Sequence, residues 1–196
     1  MSSGSTPGLD RFNALPEERA ETLLRNVCAS RAWVHGLLAR RPYASLGELL
    51  AASDEFTAAL QARDLGEALA AHPPIGRPTA GDARSAREQR GAASASEQLR
   101  AELLALNLRY QERFGQVFLI CATGLDGRTM RDALRTRLGN TPERERALVR
   151  TELGKINRIR LYELAEAQPK PQSALEPGAG SASEPKSRSA SEAQGE

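Results

Sequence analysis

Three residues in this chain combine a reactive type with an informative setting. His72 lies in Ala71-His72-Pro73-Pro74-Ile75-Gly76 and is one of two histidines in 196 residues. Each X-Pro step biases the residue before it toward extended backbone, so Pro73 holds His72 out of a helix and Pro74 does the same to Pro73. Gly76 then frees the turn. A side chain that titrates near neutral pH is thus presented on a stiff, non-helical mount. Arg160 sits in the last helical pattern, four residues after Ile156 and four before Leu164, in a stripe begun by Val149 and Leu153. Arg158, nine residues from Val149, falls near the opposite face at about 100° per residue. An inward guanidinium cannot shed its charge and needs an anion from the protein or from a ligand. Glu88 closes Ser85-Ala-Arg-Glu88 and is followed by Gln89. Each of the three also has a plain structural reading: a capping or surface histidine, a structural ion pair, and a helix capping box. The Ser-x-x-Glu spacing recurs at Ser45/Glu48 and Ser94/Glu97, which favours the capping reading for any one of them. Glu88 and Glu97 would face opposite sides of one continuous helix, so at most one of them lines a given pocket. Read as a set, one His, one Glu and one inward Arg suit acid–base chemistry on an anionic small molecule.

Other chemistries find no pattern. Gly124-Leu-Asp-Gly127 is a loop and follows no strand, so it is not a phosphate-binding motif. There is no metal-ligand cluster, and no order of Ser, His and Asp that supports a triad. The two cysteines, Cys28 and Cys121, lie in apolar surroundings and form neither a disulfide framework nor a zinc spacing. They read as small core residues in a reducing compartment. Lys and Arg total 27 against 25 Asp and Glu, a formal net charge of +2. The two signs are interleaved, so no basic field points to nucleic acid or to an anionic membrane. Met1 to Asp10 lacks a basic start and an apolar run, so no signal peptide is expected. No stretch approaches the ~18–20 apolar residues of a transmembrane span. The resulting expectation is a cytoplasmic protein.

The elements that must position these residues are helical. Residues 1–10 are Ser/Gly/Pro-rich and are expected to lack structure. Pro16-Glu17-Glu18 opens a helix through Ala20, Leu23, Leu24 and Val27. Shorter patterns follow through Trp33 to Leu38, from Ser45 to Leu60, and from Gln61 to Ala70. Pro73 to Asp82 reads as a loop, and Ser85 to Phe114 as mostly helical with a possible break near Gly91. The run 117–122 is the most apolar in the chain and is too short for its period to decide between helix and strand. With no second strand candidate, it reads as buried extended backbone or a short core segment. Met130, Leu134 and Leu138 mark another helix, and Thr141-Pro142-Glu143 caps the last. Residues 168–196 are a Pro/Ser/Ala-rich tail expected to be disordered. The fold class is all-α, one helical domain over 11–167 with about seven to nine helices.

In order and spacing these segments resemble the 2-oxo-4-hydroxy-4-carboxy-5-ureidoimidazoline (OHCU) decarboxylase family of uric acid degradation, from about Phe12 to Leu164. The resemblance is carried by Trp33-Val34, Arg41-Pro42-Tyr43, Asp64 to Ala68, the His72 to Gly76 stretch and Ser85-Ala-Arg-Glu88-Gln89. It continues through Leu106-Asn107-Leu-Arg-Tyr110-Gln-Glu-Arg113-Phe114-Gly115, Phe118-Leu-Ile-Cys-Ala-Thr-Gly124, Arg137-Leu138 and Lys155-Ile156-Asn-Arg-Ile-Arg160-Leu161. It implies an all-helical fold, no cofactor, and a homodimer. It also implies that His72 and Glu88 are catalytic, and that Pro73, Ser85, Phe118, Ile120 and Arg160 bind substrate. The Phe118 to Ile120 backbone would act as a hydrogen-bonding wall. The loop between His72 and Glu88 is shorter than in animal and plant members. Two other readings remain: a helical protein-interaction module without catalysis, and a lyase of the same fold acting on a related ureido acid.

Overall fold

The computed structural model of the chain describes residues 6–75, 87–93 and 95–167. Among them are nine helical segments and no strand. They are α1 (Pro7–Ala14), α2 (Glu17–Val27), α3 (Arg31–Ala39), α4 (Leu46–Ala59), α5 (Ala62–Ala70), the single turn α6 (Arg90–Ala93), α7 (Glu97–Phe114), α8 (Gly127–Arg137) and α9 (Pro142–Glu166). This is the all-α architecture expected from the sequence. The helices begin where side-chain oxygens can satisfy otherwise unpaired first-turn N–H groups. Ser30, Ser45, Asp126 and Thr141 accept from the backbone N–H of Trp33, Glu48, Thr129 and Arg144. α7 ends at Gly115, whose φ of 66° is the left-handed conformation that stops a helix and that favours glycine.

The helices bury two apolar clusters. The larger joins α1 to α5 and α9, with Trp33, Leu37, Leu49, Val149 and Leu153 fully buried. The smaller joins α7 and α8 through Leu103, Tyr110, Met130 and Leu134, and takes in Ile75 from beyond α5. α9 packs on α1, α2 and α4, while α8 packs on α6 and α7. Between the clusters runs the segment 117–122. Val117, Leu119 and Cys121 pack with the larger cluster, and Phe118, Ile120 and Ala122 with the smaller. That alternation has the period of two of an extended chain. The apolar run is therefore buried extended backbone, with its two faces in two different cores.

Two expectations are corrected. α1 starts at Pro7, inside the 1–10 stretch expected to lack structure. Leu9 and Phe12 are buried, and the Thr6 hydroxyl donates to the Ala165 carbonyl at 2.6 Å. Gly8 lies so close to α9 that a Cβ there would come within 2.3 Å of the Ala165 oxygen. A local composition of Ser, Gly and Pro concealed a helix that docking on α9 stabilises. The second correction concerns the helix cap expected at Ser94: α7 is capped by Ser96, which accepts from the Leu99 N–H. The break expected near Gly91 falls just after it, between α6 and α7. Ser94 itself, Gly76, Ser85, residues 1–5 and the 168–196 tail lie outside the described residues.

Candidate active site

His72 follows the C-cap of α5, and its backbone N–H closes the last turn on the Leu69 carbonyl at 2.9 Å. The two prolines then carry the chain away, and the side chain ends only 8 % exposed. Burial drives its pKa down from 6.5 to about 4, because a charged imidazole would lose its water there. The positive charge of Arg160 pushes the same way, and the negative charge of Glu88 opposes it. At neutral pH His72 is therefore uncharged and has a ring nitrogen able to accept a proton. The second histidine, His35, is exposed on α3.

Arg160 points inward from α9, and the anion it needed is Glu88. Nε donates to Glu88 Oε1 at 2.9 Å and one terminal nitrogen to Oε2 at 2.8 Å, while the other terminal nitrogen donates to the Val27 carbonyl at 2.8 Å. This fork-on-fork pairing is the strong form of a charge-assisted contact. Both partners are largely shielded, with side chains 13 % and 20 % exposed. A guanidinium carries five N–H donors. Three are used here, so each terminal nitrogen keeps one N–H without a partner among the described residues. Arg158 faces away, pairing with Asp54 at the surface. Glu88 turns both carboxylate oxygens toward Arg160, and its side chain lines a pocket together with His72.

His72, Pro73, Glu88, Phe118 and Ile120 line one small, partly open pocket. Its remaining wall is Ile75, Gln89, Leu119, Ala122, Thr123, Ile156 and Ile159. Of the residues expected at the site, all line it but Arg160 and Ser85, the latter lying outside the described residues. Arg160 reaches the pocket through Glu88. The sequence reasoning gave no role to Gln89, which is buried and whose amide nitrogen lies 3.4 Å from the Pro73 carbonyl. Its place directly after Glu88 was the available signal. Ile156, part of the apolar stripe that also holds Arg160, adds to this wall. No group of three or more His, Cys, Asp or Glu among the described residues is arranged to hold a metal ion.

A buried neutral imidazole thus stands beside a carboxylate–guanidinium pair on an all-helical frame, an arrangement able to accept and pass a proton. The fold and the sequence then agree on a family. The OHCU decarboxylase profile matches residues 13–162, and the chain belongs to that family. It is 30 % identical over 150 residues to the uric acid degradation bifunctional protein TTL of Arabidopsis thaliana, across 73 % of this chain but 46 % of that protein. This chain thus spans about half the length of that relative. It is 31 % identical over 133 residues to the 2-oxo-4-hydroxy-4-carboxy-5-ureidoimidazoline decarboxylase of Amia calva, covering 64 % of this chain and 75 % of the other. Among solved structures, an OHCU decarboxylase crystallised in the presence of (S)-allantoin shares the fold with a TM-score of 0.66 at 24 % identity, over 78 % of this chain and all of that one. An (S)-allantoin synthase superposes with a TM-score of 0.61 at 20 % identity, over 80 % of this chain and 53 % of the other.

Proposed function

We propose that this chain is a carboxy-lyase that converts 2-oxo-4-hydroxy-4-carboxy-5-ureidoimidazoline to (S)-allantoin in uric acid degradation. The observation that carries the reading is one pocket lined by His72 and Glu88, with Arg160 held to Glu88 by a forked ion pair. The reaction asks for no cofactor, because the substrate holds its own electron sink. The bond from C4 to the carboxylate breaks and CO2 leaves; the electron pair forms a double bond from C4 to C5 as the C=N pair withdraws onto nitrogen, which takes a proton from solvent. The C4 hydroxyl then becomes a carbonyl as it gives up its proton, and a proton is delivered to C5. Delivery from one face sets the configuration of the product.

The residues divide this work by their chemistry. Neutral His72 takes the hydroxyl proton and carries it toward C5: its ring is uncharged and able to accept at neutral pH, and the negative charge of Glu88 works against the burial that lowers its basicity. Arg160 offers a substrate oxygen the two N–H groups that Glu88 and Val27 leave open. Glu88 keeps Arg160 oriented, and its charge turns the substrate carboxylate toward the face from which CO2 departs. Ser85, three residues before Glu88, contacts the bound substrate. Phe118 and Ile120 supply the facing backbone, and Pro73 closes the side next to His72.

Freshly generated substrate decays unaided to racemic allantoin, so circular dichroism at an allantoin-sensitive wavelength separates catalysis from background. Rapid appearance of one enantiomer, lost in His72→Ala and Glu88→Ala variants that still fold, is the expected result. A folded wild-type chain that never exceeds the racemic background would overturn the reading. The same reading places the protein in the cytoplasm as a homodimer. In favour of a reducing compartment, Cys28 and Cys121 are both free thiols. Light scattering on the eluting protein tests the dimer.

A further inference from the structure

The extended segment 117–122 has two backbone edges, and they are treated differently. In an extended chain the N–H and C=O groups of alternate residues point to the same side. Leu119 and Cys121 therefore share one edge, and Phe118 and Ile120 share the other. On the first edge the Leu119 carbonyl accepts from a terminal nitrogen of Arg137 at 2.7 Å. The Cys121 N–H donates to Glu152 Oε2 at 2.8 Å. On the second edge the backbone groups of Phe118 and Ile120 have no hydrogen-bond partner among the described residues, although both residues line the pocket. Buried backbone polar groups are almost always paired, so an unpaired edge facing a pocket is an edge kept for a ligand or for water.

Both anchoring groups are themselves fixed. Arg137 is buried and grips Glu145 Oε1 through Nε at 2.8 Å and a terminal nitrogen at 2.6 Å. Glu145 also accepts from the Tyr110 hydroxyl and, at 2.7 Å, from Asn140. The Arg137 guanidinium lies over the Phe118 ring, 4.6 Å from its centre, and Tyr110 meets the same ring edge-on. Glu152 receives a second contact from Lys155 at 2.6 Å. α8 and α9 thus each send one side chain to the same outer edge.

We propose that Arg137 and Glu152 are positioning residues that pin the Leu119 carbonyl and the Cys121 N–H, and so present the opposite edge at Phe118 and Ile120 to the substrate. This rests on the decarboxylase reading. Loss of a pin lets the wall rotate or slide, which weakens substrate binding before it affects proton transfer at His72.

The test compares Glu152→Ala with Glu152→Gln, and adds Arg137→Lys. Glutamine keeps an oxygen for the Cys121 N–H but loses the charge and the Lys155 pair; alanine loses all three. The expected result is a KM raised about tenfold in Glu152→Ala, with KM near wild type in Glu152→Gln and kcat changed little in either. Arg137→Lys keeps a cation for Glu145 but cannot fork to Leu119, so its KM rises as well. If the two Glu152 variants have the same KM, whether normal or raised, the hydrogen bond positions nothing and the proposal falls. If Arg137→Lys does not fold, the Glu152 pair decides alone. A wild-type chain without turnover would overturn the decarboxylase reading itself, and this inference with it.

Discussion

At the scale of single residues, His72 links stability to pH as well as carrying a proton. In the unfolded chain its imidazole titrates near 6.5, and in the fold near 4. Between those values the unfolded chain holds a proton that the native chain does not. The contribution of the neutral buried ring is therefore complete above about pH 6.5 and is lost as the pH falls toward 4, to the extent of about 3 kcal/mol. Urea unfolding of wild type and His72→Gln at pH 7 and at pH 4 isolates this term from the many carboxylates that titrate in the same range. The stability difference between the two proteins should shift by about 2–3 kcal/mol across that interval, against the wild type at the acid end. A difference that does not change with pH would mean that His72 is not held neutral by burial. The residue types at the site were readable from the chain, since a His before two prolines and an Arg in an apolar stripe are local facts. Their partnership was not, because Glu88 and Arg160 are 72 positions apart.

The elements around the site are short where the site needs them to turn. Glu88 and Gln89 sit just before the single turn α6, which packs on α8 and on the connection leading into it. The closeness of that packing depends on Gly91. A Cβ there would stand 1.8 Å from the Leu125 carbonyl oxygen and 2.9 Å from its carbon, so Gly91→Ala must push α6 outward. Glu88 lies three residues away and would move with it, loosening its pairing with Arg160. The expected outcome is a fall in kcat/KM of about 10–100-fold, with Tm lowered only modestly because the large cluster is untouched. Steady-state kinetics beside a thermal melt would check it; an equal loss of activity and of fold would locate the fault in stability instead. The sequence flagged a break near Gly91 but left its purpose unread. A glycine in a helical pattern tells of a breach in the helix, not of the carbonyl that lies across from it.

On the scale of the whole molecule, two apolar clusters share one polar tie. Glu145 is 1 % exposed and holds Arg137, Tyr110 and Asn140, so α7, α8 and α9 meet at one carboxylate. Such a network adds little net stability over a well-packed apolar core, but removing one partner strands a buried charge. Glu145→Ala should therefore cost about 3–5 kcal/mol in urea unfolding, far more than removal of a surface pair such as Arg40–Glu55. A loss below about 1 kcal/mol would show that Arg137 finds water or another anion once Glu145 is gone. Burial also raises the Tyr110 hydroxyl well above its usual range, with Glu145 adding to the effect, so Tyr110 stays a donor to that carboxylate.

The sequence by itself determined the helical class and most helix starts and stops, and it singled out His72, Glu88 and Arg160 as candidates. Helical periodicity, caps at Ser45 and Thr141, and the stop at Gly115 act within a few residues, so they survive in a linear reading. Only the tertiary structure decided that α1 is a helix, that 117–122 is extended between two cores, and that Arg160 already has an anion in Glu88. Each of those outcomes depends on contacts between distant segments: Thr6 with Ala165, Leu119 with Arg137, Glu88 with Arg160. Nothing in the local sequence encodes such contacts, because their energy exists only once the chain has closed on itself.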